Sequence, residues 1–392
     1  MLAFALTALF LLLLLQAWLG WRLAGPFPAA VARWIWGMQV AFTVALPLGM
    51  VLSRAGSGRL AVTVAAVAFV AMGLWSILVA GMLSWEVLRW LSAALDLAAR
   101  GLGLPGPGAL LPADPVLRAV WARAGVLAVL GAALFLTLGA VISDRAAPRV
   151  VPITITRPGL PADLEGLRIA LISDLHVGPT ARRAFVAGVV EQVNALQPDL
   201  IACTGDLADG SVSALAAEVA PLAALQAPLG VWFVTGNHEY FSGAEGWLAE
   251  VERLGMVPLI NEHRALTRGE ARLLVAGVPD HTAGRMLPGH SPDARAALAG
   301  APAADFTLML AHQPRDAQAC ADAGADLVLA GHTHGGQFFP WTALIRLIEP
   351  WIAGRYRLGG TDLYVTPGTG TGGPPMRLGT RKEITLITLR SG

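Results

Sequence analysis

The chain has 392 residues, enough for two domains, and a formal net charge of +1 at pH 7. This charge argues against a protein that binds long nucleic acids, because such proteins need a concentrated basic face to neutralise phosphates. Only two cysteines are present, and Cys203 lies in an apolar run typical of a buried strand, which argues against a structural disulfide.

The composition divides the chain into two unlike parts. Residues 1 to about 145 are dominated by Leu, Ala, Val, Gly and Trp and hold hardly any acidic residues. From about residue 150 onward, Asp, Glu, Asn and His occur at the density of an ordinary globular domain, and all eight histidines lie there. We therefore predict a transmembrane anchor at residues 1–145 and a water-soluble domain at residues 146–392.

Four apolar stretches in the first part are long enough to cross a bilayer, which takes about 20 residues per helix. They are residues 2–21, 34–52, 60–83 and 124–143. A cleaved signal peptide is an alternative for residues 1–24, but no basic residue precedes the apolar run. The stretches carry no ionisable residue near their centres, which favours an anchor over a transporter. The sequence thus predicts an all-α bundle of about four transmembrane helices.

The loops between these stretches give a weak indication of orientation. Residues 86–123 are predicted to be an interfacial connector, in which an amphipathic helix marked by Trp85, Leu88, Leu91 and Leu95 is followed by a Gly/Pro-rich break at residues 101–115. Positively charged loop residues favour the cytoplasm. The connector holds the arginines Arg89, Arg100, Arg118 and Arg123. On the opposite side of the membrane, the second loop and the segment after the fourth stretch hold Arg54, Arg59, Arg145 and Arg149. We expect a bacterial inner or plasma membrane, with the second half slightly favoured on the outer side.

From residue 168 onward, short apolar runs alternate with amphipathic stretches. The predicted strands are residues 168–173, 199–204, 231–235, 272–276, 306–311, 326–329, 363–366 and 383–389. Helices are predicted at residues 182–196, 212–225 and 245–254. Continuous apolar strands between helices indicate an α/β fold whose sheets are covered by helices, and active sites in such folds lie at the carboxyl ends of strands.

Polar residues directly follow five of these strands. They are Asp174 and His176, then Asp206, then Asn237 and His238, then His312, and finally His332 and His334. Imidazole together with carboxylate suits Mn, Fe or Zn. Two such cations about 3.5–4 Å apart need a shared ligand between them, and a carboxylate can supply it. The pattern therefore predicts two divalent metal ions at one rim of the sheets.

The ordered motifs of these loops closely resemble those of the calcineurin-like metallophosphoesterases. They are D-L-H (174–176), G-D (205–206), G-N-H-E (236–239), A-H-Q (311–313) and G-H-T-H-G (331–335). The resemblance covers roughly residues 165–390 and implies a four-layer α/β/β/α sandwich that hydrolyses phosphoesters. The tail, G-T-G-T-G-G (368–373) through Arg377, looks like the membrane-associated bacterial branch that includes phosphodiesterases of the lipid-A-precursor-hydrolase type.

The resemblance also implies a role for each matching residue. Asp174, His176, Asp206 and His334 would hold the first metal. Asp206, Asn237, His312 and His332 would hold the second, so that Asp206 bridges the two ions. His238 would face the substrate and steady the phosphoryl oxygens or protonate the leaving oxygen. Glu239 and Asp280 could orient a ligand, and no cofactor other than the metals is implied.

An apolar stretch at residues 338–352 begins soon after the last metal motif. It could pack on the protein's own core, or it could enter the headgroup region of a membrane beside the metal site. The second interpretation suits a lipid-linked substrate and a role in lipid metabolism.

The leading hypothesis is a membrane-anchored, two-metal hydrolase of phosphoester or pyrophosphate bonds. Its expected partners are a phosphoester substrate and membrane lipid. Two alternatives remain open, a nucleotide phosphodiesterase on the same fold and a non-catalytic membrane sensor or scaffold that retains the fold. The sequence does not determine the oligomeric state.

Overall fold

The computed structural model describes residues 2–55, 58–104, 112 and 114–392. The chain divides into two compact units. One comprises residues 1–51 and 67–139, and the other comprises residues 52–66 and 140–392.

The regular structure in the described residues of the N-terminal part is helical. Its described helices are α1 (Leu2–Ala24), α2 (Ala29–Ala55), α3 (Arg59–Gly101) and α4 (Pro115–Asp144). Three described segments are long and apolar enough to cross a membrane, namely Ala29–Gly49, Leu60–Gly101 and Pro115–Asp144. They confirm the apolar helices predicted around residues 34–52, 60–83 and 124–143. The span at residues 2–21 lies within α1 and stays a prediction.

The first half of the predicted connector at residues 86–123 is helical, as its amphipathic pattern indicates. Residues 86–101 are the last turns of α3, which is 43 residues long. This stretch is rich in Ala and Leu and has neither Gly nor Pro before Gly101, so nothing in its sequence interrupts the helix. Of the predicted Gly/Pro-rich break, residues 105–111 and 113 lie outside the described residues.

The C-terminal part contains two six-stranded sheets. The order in the first is β1 (Arg149–Arg157), β12 (Glu383–Ser391), β2 (Arg168–Ile172), β3 (Leu200–Cys203), β4 (Val231–Phe233) and β5 (Val257–Pro258). The order in the second is β10 (Gly354–Leu358), β11 (Thr361–Val365), β9 (Leu327–Ala330), β8 (Phe306–Leu310), β7 (Ala271–Gly277) and β6 (Glu262–Arg268). The central strands β2 to β5 are parallel to one another, as are β7, β8, β9 and β11.

Among the described residues, seven short α-helices lie between the strands along the chain. They are α5 (Arg183–Ala195), α6 (Val212–Val219), α7 (Asn237–Ser242), α8 (Ala244–Arg253), α9 (Ala294–Leu298), α10 (Ala317–Asp322) and α11 (Trp341–Leu344).

Three apolar cores show how these elements are layered. The first joins the inner faces of the sheets and includes Leu171 on β2 and Leu308 on β8. The second packs the first sheet against α5, α6 and α8, with Trp247 fully buried. The third packs the second sheet against α9 and α10 and includes Cys320. The four-layer α/β/β/α sandwich is confirmed, and every strand predicted from the apolar runs is present with its ends within two residues of the prediction.

Candidate metal centre

The predicted metal ligands lie in loops at the carboxyl ends of β2, β3, β4, β8 and β9. Parallel strands deliver these ends to one edge of each sheet, and the two sheets bring both edges to the same rim. Two glycines permit the close approach of the loops. A Cβ at Gly236 would lie 2.1 Å from Asp206 Oδ1, and one at Gly331 would lie 2.3 Å from Asp174 Oδ2, so both positions exclude a side chain.

One group of candidate ligands surrounds Asp174. His334 Nε2 lies 3.5 Å from Asp174 Oδ1, and His176 Nε2 lies 4.0 Å from the same oxygen. The two Nε2 atoms are 3.1 Å apart. All three side chains offer one ligand atom within 4.8 Å of the others, a spacing that suits a single cation.

A second group surrounds Asp206. Asp206 Oδ2 lies 3.2 Å from His312 Nε2, and His332 Nδ1 lies 3.1 Å from that same nitrogen. Asp206 Oδ2 is also only 3.7 Å from His176 Nε2, an atom of the first group. The carboxylate of Asp206 therefore faces both groups, which is the position that a bridging ligand requires.

Asn237 provides a test of whether a cation fits here. It is the first residue of α7 and directly follows Gly236, which touches Asp206. Its Oδ1 atom is buried, and within the described residues no donor reaches it. An unpaired buried carbonyl oxygen is costly unless it coordinates an ion or water. The donor set and this unpaired oxygen together fit a hard divalent cation beside Asp206.

The backbone orients one histidine ring and burial keeps two others neutral, whereas Asp209 and Asp206 raise the pKa of His176 and His312 despite burial. His312 Nδ1 lies 2.7 Å from the carbonyl oxygen of Thr204 and donates to it, which leaves the Nε2 lone pair for a cation. Burial and nearby His312 lower the pKa of His332 to about 4. Burial and nearby His176 hold the pKa of His334 well below its ordinary value. Both rings are therefore neutral at pH 7, the form that binds metals.

Five of the candidate ligands have left-handed backbone conformations, which are unusual for residues other than glycine. The φ angles are 55° at Asp174, 46° at His176, 53° at Asp206, 70° at His332 and 51° at His334. Each such residue costs of order 1–3 kcal/mol and persists only where the surrounding structure imposes it. This concentration of strain at one rim is what a functional site would impose.

Asp209 was not among the predicted site residues, although it lies at the centre of the site's hydrogen bonding. Its Oδ1 atom lies 2.7 Å from His176 Nδ1 and 2.7 Å from His238 Nδ1. These two charged partners hold the pKa of Asp209 below its ordinary value despite burial, which raises it. Asp209 therefore orients one candidate ligand and the proposed substrate-facing histidine together. Its position three residues after Asp206, in the same loop, is a signal that could have identified it.

His238 differs from the candidate ligands in its accessibility. Its side chain is 29% exposed, whereas those of His176 and His312 are nearly or fully buried. Burial alone would lower the pKa of His238, but the carboxylates of Asp206 and Asp209 raise it to about 10. The ring is thus protonated at neutral pH and open to solvent, with Nε2 4.0 Å from Asp206 Oδ2.

Glu239 holds the metal loops in place through the backbone. Its buried carboxylate accepts from the N–H groups of Asp206, Leu207 and Gly236, at 3.0, 2.7 and 2.6 Å. Burial and Asp206 raise the pKa of Glu239 to about 7, whereas two of these N–H groups lower it. Because both oxygens already accept hydrogen bonds, the geometry suits the anion. The expectation that Glu239 orients the site is consistent with these contacts.

The Glu239→Gln variant should be markedly less stable than the parent. Its amide group places N–H donors against backbone N–H donors, so at least one buried hydrogen bond to a charged acceptor is lost. We expect the free energy of unfolding to fall by about 2–3 kcal/mol, measured by urea denaturation. Glu245→Gln, at an exposed position in the first turn of α8, is the matched control and should change stability little. Equal stability of the two variants would contradict this role.

Two other polar residues form hydrogen bonds with the candidate ligands or with their neighbours. Asp280 accepts from Gln313 Nε2 at 2.7 Å and from the Thr282 N–H, so it supports the residue beside His312. The buried guanidinium of Arg377 lies 3.1 Å from His334 Nδ1 and donates to the carbonyl oxygen of His334. Arg377 is 43 residues away along the chain, and its contact with the site comes only from folding.

The comparisons with known proteins agree with this geometry. The family model of the calcineurin-like phosphoesterases matches residues 167–336 of the chain. The chain is 41% identical over 277 residues to a transmembrane protein with metallophosphoesterase domain from Danio rerio, covering 68% of this chain and 63% of that protein. It is 41% identical over 255 residues to the Bos taurus protein of that name, covering 62% of this chain and 57% of that one.

A bacterial relative matches over nearly its whole length. This uncharacterized metallophosphoesterase of Aquifex aeolicus is 35% identical over 249 residues, which cover 62% of this chain and 92% of the relative. By contrast, the chain spans only about 60% of the two vertebrate relatives. Relatives occur in vertebrates as well as in bacteria, so the similarity is not specific to the bacterial branch.

Proposed function

This chain belongs to the calcineurin-like phosphoesterase family, and we propose that it is a membrane-anchored, metal-dependent hydrolase of phosphoester or pyrophosphate bonds. In this proposal residues 1–145 are the anchor and residues 146–392 are the catalytic domain. The observation that carries it is the convergence of two groups of ligand atoms on the single carboxylate of Asp206. Seven side chains are proposed to hold the metals, namely Asp174, His176, Asp206, Asn237, His312, His332 and His334.

The protein's own residues divide the chemistry among them. Bound divalent cations would supply charge stabilisation and lower the pKa of a bound water. His238 is proposed to donate a proton to the leaving oxygen, because it is protonated at neutral pH, partly exposed and fixed at Nδ1 by Asp209. The neutral rings of His332 and His334 and the Asn237 amide would hold the cations without adding negative charge that repels phosphate.

The exposed apolar segment at residues 339–348 favours a substrate that lies at the membrane surface. This apolar segment follows Gln337, whose side chain bonds to Gly372, and Gly372 in turn lies against His176. It includes α11, none of whose side chains is buried. Leu347 is 83% exposed and Ile348 is 65% exposed. An exposed apolar surface next to a candidate active site suits insertion among lipid headgroups. We therefore favour a lipid-linked phosphoester, which includes the lipid-A-precursor type of substrate.

Removing this apolar surface should reduce the hydrolysis of lipid substrates more than that of soluble ones. The Leu347→Ser/Ile348→Ser double variant is expected to lose about 10²-fold or more in the hydrolysis of a phospholipid phosphoester in vesicles, because about 1.5–3 kcal/mol of burial is lost per side chain. Hydrolysis of soluble bis(p-nitrophenyl) phosphate should change less than about twofold. Val150→Ser, an exposed apolar residue on β1, is the control and should affect neither reaction. An equal loss on both substrates would remove the argument for a lipid.

The activity itself is tested by supplying purified protein with Mn²⁺, Fe²⁺ or Zn²⁺ and screening lipid-linked and soluble phosphoesters in parallel. We expect turnover that depends on added metal and that is greatest for a lipid-linked substrate. Turnover restricted to nucleotides would favour the nucleotide phosphodiesterase alternative. Absence of turnover from a protein that binds two metal ions per chain would favour the sensor or scaffold alternative.

A further inference from the structure

A pocket lies within the helical unit and contains none of the proposed metal ligands. It is partly open, has a volume of about 430 Å³ and is lined by residues of α1, α3 and α4 together with the turn after α1. Its polar lining consists of Arg22, Glu86, Arg89 and Arg118, and these residues define what we call the cationic pocket. The volume lies in the range of sites for small molecules.

The charges that line the cationic pocket do not balance. Glu86 is buried and forms an ion pair with Arg22, and its Oε1 atom lies 3.2 Å from Arg89 Nη1. Arg118 donates from Nε to the carbonyl oxygen of Pro112 at 3.1 Å. Three guanidinium groups and one carboxylate leave a formal excess of two positive charges. Excess charge beside hydrocarbon is unfavourable, so a bound anion would stabilise the pocket.

One arginine also has an unused donor. Arg22 Nε is buried, and within the described residues it has no hydrogen-bond partner. Because the guanidinium group presents its N–H donors in a planar fork, an anion with two or more oxygens can satisfy several donors together. Phosphate groups have this geometry.

The remaining wall of the pocket is apolar and aromatic. Trp21 and Trp85 line it, together with Met82 and Val126. The indole of Trp85 packs so closely on α4 that a Cβ at Gly125 would lie 2.2 Å from it. Trp21 lies in the last turn of α1 and Arg118 in the first turn of α4. Tryptophan and arginine at the ends of apolar helices lie at headgroup depth in membranes.

We propose that the cationic pocket binds a phosphate-bearing anion, with the arginines on the phosphate and the apolar wall against the carbon atoms attached to it. The phosphate could come from an anionic phospholipid or from a soluble phosphate compound, and both sources share this chemistry. The inference does not depend on the proposed hydrolase activity.

The test measures binding to the full-length protein in detergent by native mass spectrometry. Phosphatidylglycerol, phosphatidylcholine and inorganic phosphate are added separately, at equal concentrations. We expect phosphatidylglycerol or inorganic phosphate to bind with a defined stoichiometry, and the comparison of the two identifies the source. Phosphatidylcholine carries a compensating positive charge and should bind at least about tenfold more weakly than phosphatidylglycerol.

Variants distinguish anion binding in the cationic pocket from general attraction of anions to a positively charged surface. Arg118→Gln should weaken anion binding about tenfold, since a charge-assisted hydrogen bond is lost, and its exposed position makes the change tolerable to the fold. Arg100→Gln, on α3 outside the pocket and 70% exposed, removes the same charge and should have no effect. Glu86→Gln should strengthen binding, because the competing carboxylate is gone. Equal weakening by the two arginine variants, or weaker binding by Glu86→Gln, would overturn the proposal.

Discussion

Replacing Asp206 with Asn is expected to abolish turnover and to remove bound metal at the same time. Asp206 Oδ2 lies 3.2 Å from His312 Nε2 and 3.7 Å from His176 Nε2, so one carboxylate serves both groups of ligands. Asn has the same shape but lacks the negative charge that two neighbouring cations need between them. We expect kcat/KM to fall by at least about 10³-fold. Metal content, measured by mass spectrometry of the purified protein, should fall from about two ions per chain to fewer than one.

The matched control is Asp199→Asn. Asp199 immediately precedes β3, at the opposite end of the strand from the Asp206 loop, and accepts a hydrogen bond from the Arg168 N–H at 2.8 Å. This variant should keep its metal and stay within about twofold of the parent activity. An Asp206→Asn protein that retains both ions and hydrolyses substrate normally would refute the shared-carboxylate assignment.

Replacing His238 with Gln is expected to reduce turnover strongly while leaving the metals in place. His238 Nδ1 is fixed by Asp209, and its exposed ring is proposed to protonate the leaving oxygen rather than to bind a metal. General acids of this kind contribute about 10²–10⁴-fold. We therefore expect kcat to fall by about that factor on an alkyl phosphoester. The loss should be much smaller on a p-nitrophenyl ester, whose leaving group departs without a proton.

Two further variants provide comparisons for the loss of turnover and of metal in His238→Gln. His312→Gln should lose metal as well as activity, because His312 Nε2 points at Asp206 and its Nδ1 is already bonded to Thr204. Asp209→Asn should cause an intermediate loss of turnover and weaken metal binding less than His312→Gln does, since it disturbs the orientation of His238 and His176 without removing either ring. Loss of metal from His238→Gln, or an equal effect on both leaving groups, would count against its role as an acid.

Much of the fold and of the candidate site followed from one regularity in the sequence. Apolar runs such as residues 168–173 and 306–311 are buried on both faces and have no other plausible structure than central strands. Polar residues placed directly after them must then lie at the carboxyl edge. Because this rule depends only on local sequence, it located Asp174, Asp206 and His312 without a structure.

The features missed by sequence reasoning depend on exposure or on contacts between distant residues. Strands β6 and β10 lie at sheet edges and alternate exposed polar residues with partly buried ones, so their apolar signal is weak. The contact of Arg377 with His334 joins residues far apart in sequence. The sequence indicated an apolar span at residues 60–83 and an amphipathic helix after it, but not that the two form one continuous helix as far as Gly101, because hydropathy marks only the membrane span.

The most direct test of the account is the position of the metals themselves. Crystals of the protein loaded with Mn²⁺ would be measured at wavelengths on both sides of the manganese absorption edge, so that anomalous scattering identifies each ion. The account predicts two manganese peaks about 3.5–4 Å apart, with the Asp206 carboxylate between them and Asn237 Oδ1 in contact with one. A single peak, or two peaks that do not both contact Asp206, would contradict it.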